Sequence, residues 1–250
     1  MANVLSGLRV AVTGGAGDIG TANGAALRRR SAYVTLIDRK SPHEAAPWTE
    51  CSGAHRAVAF VQAEVRDRAA IARIDRLNVA IGNAGSVRSA PFLELTPEQW
   101  RDHLGVNLTV CFHPGQAAVR LTATRKRPEG GIFIGSWVQE VSWPRNAAYS
   151  AAEATLRMLA RSMARERPPH RTLVNVVAPG MVNAGLARHQ METESRYAPC
   201  VRHVIPFGEP QSAEQVALAT AFLCSEAANV TIGSTKPVDG GCSQFRVSSR

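Results

Sequence analysis

The sequence predicts an α/β fold, a three-layer, doubly wound sheet of about seven mostly parallel strands. Three observations predict it. Short β-branched runs alternate with helical patterns along the chain. Most of those runs are near-continuously apolar, as strands covered on both faces are. A glycine-rich stretch, TGGAGDIG at 13–20, joins the first run to the first helical pattern.

The predicted strands, in order, are 9–13 (RVAVT), 33–37, 57–61, 77–81, 131–135, 173–177 and 234–238. Helical patterns fill 18–30, roughly 67–75, 97–124, 148–166 and 212–226. Thr96 followed by Pro97 is a helix start, a capping residue with proline at the first helical position. Ser212 is a second cap. No linker, repeat or low-complexity block divides the chain, so residues 1–250 read as one domain. In a doubly wound sheet, ligands sit at the carboxyl ends of the strands near the switch in strand order.

Composition narrows the function. Net charge is +9, and only three of the 29 basic residues are lysines. The arginines are scattered, and the run at 28–30 falls at a predicted helix end, where cations suit the dipole. That pattern points away from nucleic acid and toward a solvated basic surface or anionic ligands such as cofactor phosphates. The five cysteines show no CxxC or metal-ligand spacing, so they read as reduced, the chain as cytoplasmic, and no metal is assigned. The N-terminus carries no signal-peptide pattern, and no apolar run reaches the length of about 18 residues that spans a membrane.

In TGGAGDIG the glycines let backbone N–H groups approach a pyrophosphate resting on the helix N-terminus. The stretch resembles the cofactor turn of the short-chain dehydrogenase/reductase family, a Rossmann-like NAD(P)-dependent fold, with Thr13, Gly14, Ile19 and Gly20 in register. Asp18 stands at the turn's middle glycine, with Gly17 beside it. Such an aspartate either caps its own helix or repels the phosphates, according to where its carboxylate points. The resemblance runs on through nearly the whole chain. It implies that Asp38 binds the adenine ribose and favours NAD over NADP, while Arg39 next to it keeps NADP open. Glu64 and Val65 resemble the adenine-flanking segment; Asn83, Ala84 and Gly85 resemble the "NNAG" motif without its first asparagine. Pro179, Gly180 and Val182 resemble the turn beside nicotinamide, where Ala184 replaces the usual threonine.

The resemblance also implies an active centre of asparagine, serine, tyrosine and lysine. Asn107, Ser136 and Tyr149 occupy three of these positions. The fourth, one helical turn after Tyr149, is Glu153. A lysine there favours tyrosinate and holds the nicotinamide ribose; a carboxylate pushes the phenol the other way, by roughly 3–4 kcal/mol at an effective dielectric near 20. Three readings stay open. The chain is a working reductase that recruits another cation, with Arg157, Arg145 and His189 considered. Or it is a non-redox enzyme (a cyclase, dehydratase or isomerase) that keeps the pocket. Or it is a catalytically silent relative that binds a ligand or partner subunit and needs no functional cofactor.

The segment 183–204 is expected to cover the substrate, with His189, Met191 and Tyr197 available to touch it. Trp137 and Trp143, following Ser136, suggest a small apolar or aromatic substrate. The resemblance further implies a homodimer or homotetramer joined through the helices at 97–124 and 148–166.

Overall fold

The computed structural model describes residues 4–44, 58–67, 77–122, 129–166, 172–193 and 197–244. Seven parallel strands are described: β1 (Arg9–Thr13), β2 (Tyr33–Asp38), β3 (Val58–Gln62), β4 (Val79–Gly82), β5 (Glu129–Ile134), β6 (Thr172–Pro179) and β7 (Thr235–Val238). Their order is β3-β2-β1-β4-β5-β6-β7. The chain leaves β1 toward β2 on one side and returns to β4 on the other. That reversal opens a crevice above the carboxyl ends of β1 and β4.

The helices are α1 (Asp18–Arg28), α2 (Pro97–Leu104), α3 (Val110–Thr122), α4 (Ala147–Glu166), α5 (Gly185–Thr193), α6 (Tyr197–Val204) and α7 (Ala213–Leu223). α1 and α7 pack together against one face of the sheet; α3 and α4 cover the other. Strand alternation sends successive side chains to opposite faces. Val10 and Val12 join Leu27 and Val216 in one core, while the intervening Ala11 meets Ile37 and Ala80 in another. Both sets are apolar because both faces are covered. Phe133, Leu156 and Val176 build the core under α4.

Both expected caps are made. Thr96 and Gln99 form a capping box on α2, and Ser212 and Gln215 form one on α7. The single long helix expected over 97–124 is divided by a π turn at Gly105–Thr109. Two features accompany it: the Asn107 amide accepts from the Ser86 N–H at 2.8 Å and donates to the carbonyls of Ser86 and His103, and Pro114 inside α3 lacks the N–H an unbroken helix uses. The helix expected at 67–75 falls largely outside the described residues. Segment 183–204 contains α5 and α6. No described helix is long and apolar enough to cross a membrane.

Candidate active site

The glycine-rich turn is set by its backbone. Gly14 has φ +65, and a Cβ there would meet the Ala84 Cα at 2.8 Å. A Cβ on Gly20 would lie 2.1 Å from the Gly14 oxygen. Only glycine allows α1 to start so close to β1 and β4. Thr13, itself buried, stitches the two strands. Its hydroxyl donates to the Ile81 carbonyl and accepts from the N–H groups of Asn83 and Ala84 at 3.0 and 3.2 Å. The Asn83 amide returns two bonds, to the carbonyls of Thr13 and Gly14. Asp38 closes the other side, accepting from Ala16 N–H and Lys40 N–H, each at 3.0 Å.

These elements frame a cavity of about 660 Å³, within the range of cofactor-sized pockets. At one end it is lined by Gly14, Asp18, Ile19, Gly20, Asp38, Arg39, Glu64 and Val65. Asn83, Ala84, Gly85, Pro179, Gly180 and Val182 form its middle. Asn107, Ser136, Trp137, Trp143, Tyr149 and Glu153 line the far end. Thr13 stands behind the wall. His189 is exposed and Met191 half-buried, and neither lines the cavity; Met191 packs on the cluster around Trp137. Tyr197 begins α6, and its side chain lies outside the described residues.

The residues present fit an NAD(P) dinucleotide. Gly17 is the N-cap of α1, and no side chain caps that helix. Its first-turn N–H groups have no intrahelical acceptor, which leaves an anion cradle facing the cavity. Asp18 neither caps α1 nor is left bare. Its carboxylate accepts from Gly185 N–H at 2.7 Å and pairs with Arg188.

At the far end, Ser136 stands two residues past β5 and caps the short turn Trp137–Gln139. The Tyr149 phenol shares this end of the cavity with the Ser136 hydroxyl and the Glu153 carboxyl, both of which act on its titration. Trp137 and Trp143 stand at 5.4 Å with planes tilted by 58°, and both line the same space. Asn107 is buried with its side-chain amide wholly occupied by backbone partners, so it positions the Gly85–Ser86 segment and does not reach the phenol through its side chain.

Glu153 is 3% exposed, and its Oε2 has no hydrogen-bond partner. Gln139, 6% exposed, has both amide atoms unpartnered, and both side chains approach Gly135. Burial, only partly offset by a hydrogen bond from Tyr149, pushes the Glu153 carboxyl up to about 8. Burial first, and Glu153 second, drive the Tyr149 phenol well above its ordinary value. The candidate cations do not intervene. Arg157 pairs with Glu140, Arg145 is exposed with its carbonyl accepting from Ala90 N–H, and His189 is outside the cavity. Burial therefore favours the neutral acid over the carboxylate expected from the sequence.

Sequence reasoning missed the substrate-side wall formed by Arg88, Asp102, His103 and Asn146. His103 is buried, with Nδ1 on the Gln99 carbonyl at 2.8 Å and Nε2 accepting from Arg88 N–H at 3.1 Å. Those bonds fix the tautomer that carries its proton on Nδ1. Arg88 lies three residues after the Asn83–Gly85 motif and Asn146 three before Tyr149, and that was the available signal. No cluster of metal ligands occurs among the described residues. Cys111, Cys224 and Cys242 are free thiols.

Comparison with known proteins places this geometry. A family model described as enoyl-(acyl carrier protein) reductase matches residues 14–243. L-xylulose reductase of Mesocricetus auratus is 29% identical over 237 residues, covering 95% of this chain and 97% of that protein. An oxidoreductase of Burkholderia thailandensis, described as of the short chain dehydrogenase/reductase family, superposes with a TM-score of 0.86 at 30% identity, over 94% of this chain and 92% of that one. An Agrobacterium tumefaciens structure with bound NADP gives a TM-score of 0.86 at 25% identity, over 95% and 97%.

Proposed function

The chain belongs to the short-chain dehydrogenase/reductase family of NAD(P)-dependent oxidoreductases, and from that premise we propose that it interconverts a carbonyl and an alcohol on a small apolar or aromatic substrate. The observation that carries this reading is the meeting of Ser136, Tyr149 and Glu153 at one end of a cavity whose other end is a dinucleotide cradle. When bound, the nicotinamide supplies or accepts the hydride. Ser136 polarises the substrate oxygen, and Tyr149 moves the proton at that oxygen. The Trp137–Trp143 pair excludes water and sets a flat apolar wall.

Glu153 sets the proton state of this site. A phenol held protonated is ready to give its proton to the substrate oxygen in carbonyl reduction, while alcohol oxidation starts from the same phenol deprotonated. Below about pH 8 the neutral Glu153 carboxyl adds no adverse charge. Above it, ionisation opposes every state in which the phenol has lost its proton. NAD is the favoured cofactor, because the Asp38 carboxylate is fixed by two backbone N–H groups where a 2′-phosphate would lie. Residues 1–250 act as one domain, with α5 and α6 of segment 183–204 over the substrate end. Exposed Trp100, Phe112 and Met158, on α2, α3 and α4, support self-association into a dimer or tetramer.

Calorimetric titration tests the reading. NADH is expected to bind, and several-fold more tightly than NADPH. NADH-dependent reduction of small aromatic ketones is expected at pH 6–7, with Tyr149→Phe lowering kcat by about 10²–10⁴-fold at unchanged NADH affinity. Product formed without NADH consumption would show a non-redox enzyme, and activity indifferent to residue 149 would move the active centre elsewhere.

A further inference from the structure

Asp18 occupies the one position in the phosphate turn where a side chain, and a negative one, replaces the expected glycine. Its carboxylate crosses to the other half of the fold. Oδ2 accepts from Gly185 N–H and pairs with the Arg188 guanidinium, partners 167 and 170 residues away. Both belong to α5. Gly185 takes φ +49 as the chain turns into that helix, with open space where a Cβ would stand. Arg188 follows three residues later, close to one turn on, so both groups reach the same oxygen. One carboxylate therefore fastens the cofactor turn to the first helix of the segment over the substrate end.

Charge decides what this junction does. Asp18 lines the cavity beside the free N–H groups of α1, where a pyrophosphate is favoured. Bare, it would set a negative charge against the phosphates. Arg188 cancels it. The pair is about one-third to two-fifths exposed and adds little to fold stability by itself. Its consequence lies in where it sits.

We propose that Arg188 is a positioning residue for the dinucleotide: it makes the aspartate-bearing turn accept the pyrophosphate, and so couples cofactor binding to docking of α5. The inference rests on the dinucleotide reading above. Coupling of this kind is reciprocal, so bound NADH also holds α5 down.

Calorimetry with NADH and NADPH on the full chain tests it. Arg188→Ala is expected to weaken both cofactors alike, by about tenfold or more, because the pyrophosphate is common to both. Asp18→Gly alone leaves affinity unchanged or tighter. The double variant returns to within about threefold of the unmodified chain, since the charge needing cancellation is gone. NADH should also slow hydrogen exchange across 185–193 in the unmodified chain and not in Arg188→Ala. Undiminished affinity in Arg188→Ala, or a double variant no tighter than Arg188→Ala, would overturn the inference while leaving the dinucleotide reading intact. A simple structural role for the pair predicts equal losses from either single change and no rescue. If the unmodified chain binds neither cofactor, both readings fall. Arg188→Gln, which keeps the length of the side chain, provides the same comparison should the alanine variant fail to fold.

Discussion

Glu153→Lys is expected to raise the rate of alcohol oxidation at pH 7 by about 10²-fold. At neutral pH the group one turn from Tyr149 is an uncharged acid, because burial holds it protonated. Replacing it with an ammonium at roughly 5–6 Å stabilises the phenolate by about 3 kcal/mol at an effective dielectric near 20. That converts to about two orders of magnitude in a step limited by proton abstraction. The site has an acceptor ready for the new charge in the unpartnered Gln139 Oε1 near Gly135. Glu153→Gln is the control. It keeps the shape and neutrality of the acid, so its rate at pH 6–7 should stay within about threefold of the unmodified chain. Steady-state kcat with NAD and a small aromatic secondary alcohol checks both. Equal rates in the lysine variant and the unmodified chain would mean that residue 153 does not act on the phenol.

The same carboxyl is expected to make the fold less stable as pH rises. The Glu153 pKa is raised on folding, from 4.5 to about 8. Below pH 4.5 the group is protonated in both states and contributes nothing. Between about 4.5 and 8 the folded chain keeps a proton that the unfolded chain releases, so stability falls across that window. The loss is complete above pH 8 and amounts to about 5 kcal/mol at roughly 1.4 kcal/mol per pH unit. Glutamine at 153 titrates in neither state. Urea unfolding of the two proteins should therefore coincide near pH 4.5 and diverge by pH 8.5, with Glu153→Gln the more stable. Parallel curves across that range would show that the carboxyl ionises freely in the fold.

The fold was legible in the sequence wherever a local rule decides it. Apolar runs gave the strands because both faces of this sheet are covered, and Thr96 and Ser212 marked two helix starts because capping is a property of four adjacent residues. The break at Gly105–Thr109 was only partly legible: Pro114 marks an irregularity in the helix expected there, but the Asn107 amide finds its partner 21 residues away at Ser86. Site positions could be lined up from motifs, and the structure brings most of them around one cavity. Their charge states could not. Glu153 reads as a carboxylate in the sequence, yet its protonation depends on 3% exposure and on Arg157 turning to Glu140. Asp18 read as either a cap or a repellent; the answer came from Arg188, which no local pattern connects to it.

The central claim is that Glu153 is a protonated acid beside Tyr149 at neutral pH. It is tested most directly by carbon NMR of the chain labelled at its glutamate carboxyls, with the Glu153 signal identified by its loss in Glu153→Gln. A titration midpoint near 8 is the predicted result. A midpoint in the ordinary carboxylate range, near 4.5, would contradict it.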